Sequence, residues 1–170
     1  KRGTLMKLQA RSYKLEATLG LSVVEILVVI GIMVVLVGVV VIPFASFREQ
    51  AILDGATEET LALLHEARER TVSSDGASRY GVYFESDKVT LFKGATFPGA
   101  GDPDNKEILL HNRLVLTKSA SLDDGVIFER LTGKIGAAGT TTVSLISDST
   151  KYRTIEISQA GLASLVVGSN

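Results

Sequence analysis

The sequence predicts an α+β protein: a long N-terminal helix, apolar at first and amphipathic after, packed on an antiparallel β-sheet domain. Three observations carry this. Residues 26–47 hold no charged side chain, and about 22 helical residues rise roughly 33 Å, enough to cross the roughly 30 Å hydrocarbon core of a bilayer. From Ser46 the pattern becomes amphipathic with helical spacing. After Gly76 it switches to the period of two that marks strands. The chain therefore divides into a basic leader at 1–20, a transmembrane helix at 21–47, and a domain at 48–170 whose helix ends near Thr71 and gives way to the sheet.

The leader sets the direction. Lys1, Arg2, Lys7, Arg11 and Lys14 stand against one acid, Glu16, so the flank stays in the cytoplasm and the domain after the span lies outside. The apolar run is longer than the ~7–15 residues of a secretory signal peptide core. It also passes through Pro43-Phe44-Ala45-Ser46-Phe47 into charged sequence without a small-x-small cleavage site. A retained anchor fits better. Two starts for the leader remain open, at Lys1 or at Met6 with 1–5 as an upstream extension.

Within 21–47 the single charge is Glu25. A carboxylate at the centre of a membrane helix costs roughly 2.5–3.5 kcal/mol on insertion scales. Two readings are open: Glu25 marks the cytoplasmic edge and reaches the headgroups, or it meets a partner. Gly31 and Gly38 are seven residues apart and share a helix face. Either they let a neighbouring helix approach closely, or they are the glycines that membrane helices commonly carry. Pro43 lacks an amide donor and clashes with the carbonyl of Val39, so a kink or local melting is expected between Gly38 and Phe44.

Beyond the span, Phe47, Ile52, Leu61 and Leu64 fall on one helical side, with Arg48, Glu49, Glu58, Glu59, Glu66 and Glu69 on the other. Ser73-Ser74-Asp75-Gly76 is a turn cluster that ends this helix. Tyr80, Val82 and Phe84 then alternate, and Val89 and Leu91 follow Glu85-Ser86-Asp87 as the return strand of a hairpin. Further short strands are expected at 114–116, 126–128, 143–146 and 152–157, with Ser147-Asp148-Ser149-Thr150 turning the last pair.

Chemical sites are sparse. The chain has no Cys, which excludes disulfides and thiolate metal sites. Its formal net charge of −1 gives no global basic field for nucleic acid. Asp102, Asp104, Asn105 and Glu107, in and just beyond the loop 99–106, alternate oxygen side chains as Ca²⁺ requires. They lack a full EF-hand spacing and are ordinary turn residues, so no cofactor is expected. His65 and His111 are lone histidines. Thr132-Gly133-Lys134 lacks the spacing of a phosphate loop and reads as a hairpin turn. No catalytic residue is assigned, because no nucleophile–base set or carboxylate pair stands in a recognisable context. An enzyme is not expected.

Gly20-Leu21-Ser22-Val23-Val24-Glu25, followed by a long aliphatic helix closing on Pro43, resembles the N-terminal signature of type IV prepilins and pseudopilins. The segment Leu61-Ala62-Leu63-Leu64-His65-Glu66-Ala67-Arg68 is similar to the one that follows the anchor in H-type (GspH/FimT-like) minor pseudopilins. The order of a Phe-containing strand at 126–128, a Gly turn at 132–134 and a hairpin ending in Ser158-x-x-Gly161 resembles their C-terminal half. The resemblance implies cleavage between Gly20 and Leu21 by a prepilin peptidase, which also methylates the new amine of Leu21. It implies that Glu25 pairs with the N-terminal amine of a neighbouring subunit, that Gly31, Gly38 and Pro43 belong to the assembly helix, and that the helix extends near Pro43 during assembly. Opposite charges in a low dielectric attract strongly and each is costly unpaired, so such a pair fixes the register of neighbours.

The partners so implied are that peptidase/methyltransferase, other pilins or pseudopilins in a helical filament, and an inner-membrane assembly platform. The implied place is the bacterial inner membrane, single-pass, with the domain outside and the subunit in a filament after assembly. The function implied is that of a structural minor subunit in type II secretion or a type IV pilus. A second function is a FimT-like DNA-capturing minor pilin, against which the absence of basic residues in 162–170 argues. A third is an unprocessed, membrane-tethered β-domain.

Overall fold

The structure, a computed structural model, describes residues 22–123 and 125–166, with the backbone alone for 39–46. Gly20, Leu21 and the rest of the expected leader lie outside the described residues. The chain forms two compact units, Lys1–Ile42 and Pro43–Asn170. Helix α1 (Val23–Val72) supplies residues to both. Its helical pattern is unbroken at Pro43, so the local melting considered between Gly38 and Phe44 does not occur. A proline removes one bond of the ladder, and the turns on either side keep theirs. The division between the units falls at that proline.

The second unit holds two antiparallel sheets where one was expected. The first orders its strands β3 (Lys106–Leu109), β2 (Lys88–Lys93), β1 (Tyr80–Phe84), β5 (Val126–Ile127). The second orders β4 (Leu114–Lys118), β6 (Gly139–Leu145), β7 (Tyr152–Ile157), β8 (Ala163–Val166). The expected hairpin forms with Val82 opposite Leu91 and Phe84 opposite Val89, which puts all four on one face. In the second sheet Val143 and Leu145 lie on the core side with Leu114, Leu116, Ile155 and Ile157. These inner faces and the helix residues Leu53, Leu63, Leu64 and Ala67 make one contiguous core.

The buried stripe of the helix differs from the apolar pattern alone. Leu53, Thr57, Thr60, Leu64, Ala67 and Thr71 recur at steps of four and three and are all buried. Each threonine turns its hydroxyl back onto the carbonyl four residues earlier: Thr57 to Leu53 at 2.7 Å, Thr60 to Ala56 at 2.8 Å and Thr71 to Ala67 at 2.8 Å. The methyl group is thereby left free to pack, and the hydroxyl costs nothing unpaired. Thr71 also accepts from the Tyr80 amide at 2.9 Å, tying the end of the helix to the start of β1. Ile52 and Leu61 are only half-buried, and Phe47, which precedes the first core residue Leu53, is exposed.

Ion pairs clamp the helix to both sheets. Arg153 of β7 reaches Asp54 at 2.8 Å, Lys151 reaches Glu49 at 3.4 Å, and Lys106 of β3 reaches Glu66 at 2.7 Å. The lysine hydrogen bond is the main reason the Glu66 carboxyl is held below its usual range.

The loop 94–105 packs on the face of the first sheet opposite the core. Phe92 is fully buried outside the main core, edge-on to Phe97 with ring centroids 5.4 Å apart, while Phe97 stacks on Tyr83 at 4.2 Å. Thr132-Gly133-Lys134, expected as a hairpin turn, instead lies in the connection from β5 in one sheet to β6 in the other. That connection closes on itself, with the Glu129 amide donating to the Lys134 carbonyl and the Gly133 amide to the Glu129 carbonyl, both at 2.8 Å.

Candidate functional site

The strongest candidate is the start of α1. Ser22 precedes the first helical residue, and its hydroxyl accepts from the Val24 amide at 3.3 Å while its carbonyl accepts from the Ile26 amide at 3.2 Å. Ser22 is therefore the N-cap, and Glu25 occupies the third helical position, the spacing of a capping box. A carboxylate in the first turn also meets the positive end of the helix dipole. The Ser-x-x-Glu spacing in the sequence is the signal for this helix start. Glu25 is exposed, and among the described residues it has no hydrogen-bond or ion-pair partner.

Around it, Val23, Val24, Leu27, Val28, Ile30, Met33, Val34 and Leu36 are exposed on every side of the helix. Such a surface is unsuited to water and suited to lipid or to other apolar helices. Among the described residues no helix is long and apolar enough to cross a membrane; the expected span at 21–47 includes Leu21 and the side chains of 39–46, which fall outside the description. At Gly31 and Gly38 an added Cβ would meet nothing within 4 Å among the described residues. The small-residue face is open.

The other candidates do not assemble. Asp102 accepts the Asp104 amide at 2.9 Å, and Asn105 donates to the Gly99 carbonyl at 3.0 Å, so both serve the loop's own turns. Glu107 lies in β3 and pairs with Lys88 at 3.4 Å. Among the described residues no three His, Asp or Glu side chains converge. His111 accepts the Arg113 amide through Nδ1 at 3.2 Å and shapes the turn before β4, while His65 is exposed on the helix. A cavity of about 560 Å³ opens beside Tyr83, Thr96, Phe97, Asp123 and Ile127, with one carboxylate and no nucleophile–base pair.

A long N-terminal helix packed on two antiparallel sheets, with its first turns exposed and apolar, is a pilin-like fold. Solved structures bear this out. The type IV minor pilin FimU of Pseudomonas aeruginosa matches in two crystal forms: one at TM-score 0.56 and 20% identity over 71% of this chain and 92% of FimU, the other at 0.54 and 19% over 68% and 93%. The minor pseudopilin EpsH of the Vibrio cholerae type II secretion system matches at TM-score 0.52 and 11% identity, over 68% of this chain and 96% of EpsH. No protein-family model matches the chain. No curated protein matches it.

Proposed function

We propose that this chain is a minor pilin or pseudopilin subunit with a structural role in type II secretion or a type IV pilus. The observation that carries the reading is the union of a pilin-like domain with a charge-poor exposed helix whose single carboxylate, Glu25, has no partner among the described residues. In this reading a prepilin peptidase cuts between Gly20 and Leu21 and methylates the Leu21 amine. The helix at 21–47 then holds the subunit in the inner membrane, N-terminus cytoplasmic and domain outside. An assembly platform draws it into a helical filament with other pilins. Cleavage brings a cationic amine within four residues of Glu25, and pairing across neighbours satisfies both charges in an apolar environment where each alone is costly.

The DNA-capturing reading has less support. Arg70, Lys88, Lys106, Arg113, Lys151 and Arg153 all pair with carboxylates, which lowers the field available to phosphates. Glu25→Ala tests the assembly role against a plain tether. The variant is expected to insert in the membrane normally and to be lost from sheared filament fractions. Undiminished incorporation of Glu25→Ala into filaments would remove the proposed pairing.

A further inference from the structure

The side of the first sheet that faces away from the core carries aromatic residues that the core does not use. Val82 and Phe84 of β1 point inward, so Tyr83 points to the opposite face. Phe92 of β2 lies on that face too, across from Gly81, where an added Cβ would collide with the Phe92 ring and the Val126 carbonyl. A glycine inside β1 therefore lets this ring lie over the strand. Phe97, from the loop 94–105, stands edge-on to Phe92 and stacks on Tyr83 with ring centroids 4.2 Å apart. Ile127 of β5 pairs with Gly81 and shares the face. Tyr83, Phe97 and Ile127 are half-buried, and together with Ala95, Thr96 and Asp123 they line the cavity of about 560 Å³.

Two charges of opposite sign border this cavity. Asp123 brings a carboxylate to the lining. Lys118 Nζ donates to the Asp123 backbone carbonyl at 3.0 Å and stands 4.7 Å from the centre of the Tyr83 ring. A cationic ligand would meet the ammonium and an anionic one the carboxylate, so the site favours neither sign of charge. The Thr96 hydroxyl adds a group that both donates and accepts. We propose that this cavity binds a neutral sugar, a pyranose ring of a glycan. The C–H faces of such a ring are flat and apolar and suit the Phe97 and Tyr83 rings, while its rim of hydroxyls can answer carboxylate, ammonium and hydroxyl together. A cavity of this size lies within the range of small-ligand sites. Every residue of the site belongs to the second unit, and binding there does not depend on entry into a filament.

The full chain is placed in lipid nanodiscs, because maltoside detergents carry sugar headgroups of their own. Saturation-transfer NMR then follows maltotriose, cellotriose and chitotriose as neutral probes, with fully deacetylated chitotriose as a cationic probe and adenosine as a planar one. The expected result is transfer to the ring C–H protons of at least one neutral trisaccharide, with a Kd at or below about 1 mM. Deacetylated chitotriose and adenosine should show none. Phe97→Ala should weaken the binding about fivefold or more, whereas Phe97→Tyr keeps the ring and should stay near wild type. Asp123→Ala, at an exposed position that leaves the rings in place, should weaken it as well. Thr132→Ala, in another loop, should change nothing, and thermal unfolding checks the fold of each variant. Absence of binding by all three neutral probes overturns the proposal. Binding that Phe97→Ala and Asp123→Ala leave intact lies elsewhere on the molecule and overturns it too. Preference for the cationic probe or for adenosine assigns the cavity to an amine or a nucleobase, and the sugar reading falls.

Discussion

Gly161 cannot carry a side chain in this fold. Its φ is +73°, and a Cβ there would collide with the Gly133 carbonyl oxygen in the neighbouring loop. Gly161→Ala is expected to cost about 1–2 kcal/mol for the left-handed backbone and about 1–3 kcal/mol more for the forced shift, read as a lowered midpoint in thermal unfolding. The threonines of the helix separate two roles of one residue type. Thr71→Val would leave the buried Tyr80 amide without its acceptor, at a cost of about 1–3 kcal/mol. Thr57→Val removes a hydroxyl that serves only its own helix, and should be near neutral in the same assay. A result in which the two valines cost the same would contradict this assignment. The burial of these threonines was not legible in the sequence. Their polarity places them on the wet side, and only the geometry of the back-bonded hydroxyl reveals a buried methyl.

At the scale of elements, the long helix divides between two kinds of surface. In its first turns a Cβ at Gly31 or Gly38 would meet nothing within 4 Å among the described residues. Gly→Ala at either position removes a helix-destabilising residue worth about 0.5–1 kcal/mol, so an isolated subunit gains helicity. If that face packs closely against a neighbour, the same change weakens filament yield. Gain in both would show the glycines to be incidental. In the later turns Glu66 binds Lys106 at 2.7 Å and Arg70 at 2.6 Å, and its pKa is lowered, chiefly by the Lys106 hydrogen bond. A folded-state pKa below the unfolded one gives stability that is present above about pH 4.3 and is lost as pH falls through the folded value. Glu66→Gln should therefore melt below wild type at pH 7, by no more than about 1 kcal/mol for a partly exposed pair. The difference should vanish in acid. An undiminished difference at low pH would contradict the ion-pair account.

For the whole molecule, the sequence made the helix and six of the strands legible where local pattern and burial agree. Tyr80, Val82 and Phe84 alternate because one side of β1 faces the core, and the same holds for Val143 and Leu145 in β6. β3 was missed because Lys106 and Glu107 open an edge strand that alternates no apolar side chains. β8 was missed because Ala163 and Ser164 carry little strand preference. The division into two sheets could not be read at all, since which strands pair is a matter of distant neighbours and periodicity reports only faces. Of the candidate site, Glu25, Gly31 and Gly38 are exposed in the first turns of the long helix, whereas Asp102 and Glu107 serve separate local contacts. The central claim is that this helix begins life behind a cleavable leader. Intact mass and N-terminal sequencing of the membrane-bound protein, after co-expression with an active prepilin peptidase, test it most directly. The account predicts a chain that starts at Leu21 and is heavier by one methyl group. A chain that keeps its leader, while the same peptidase cuts a control prepilin, would contradict it.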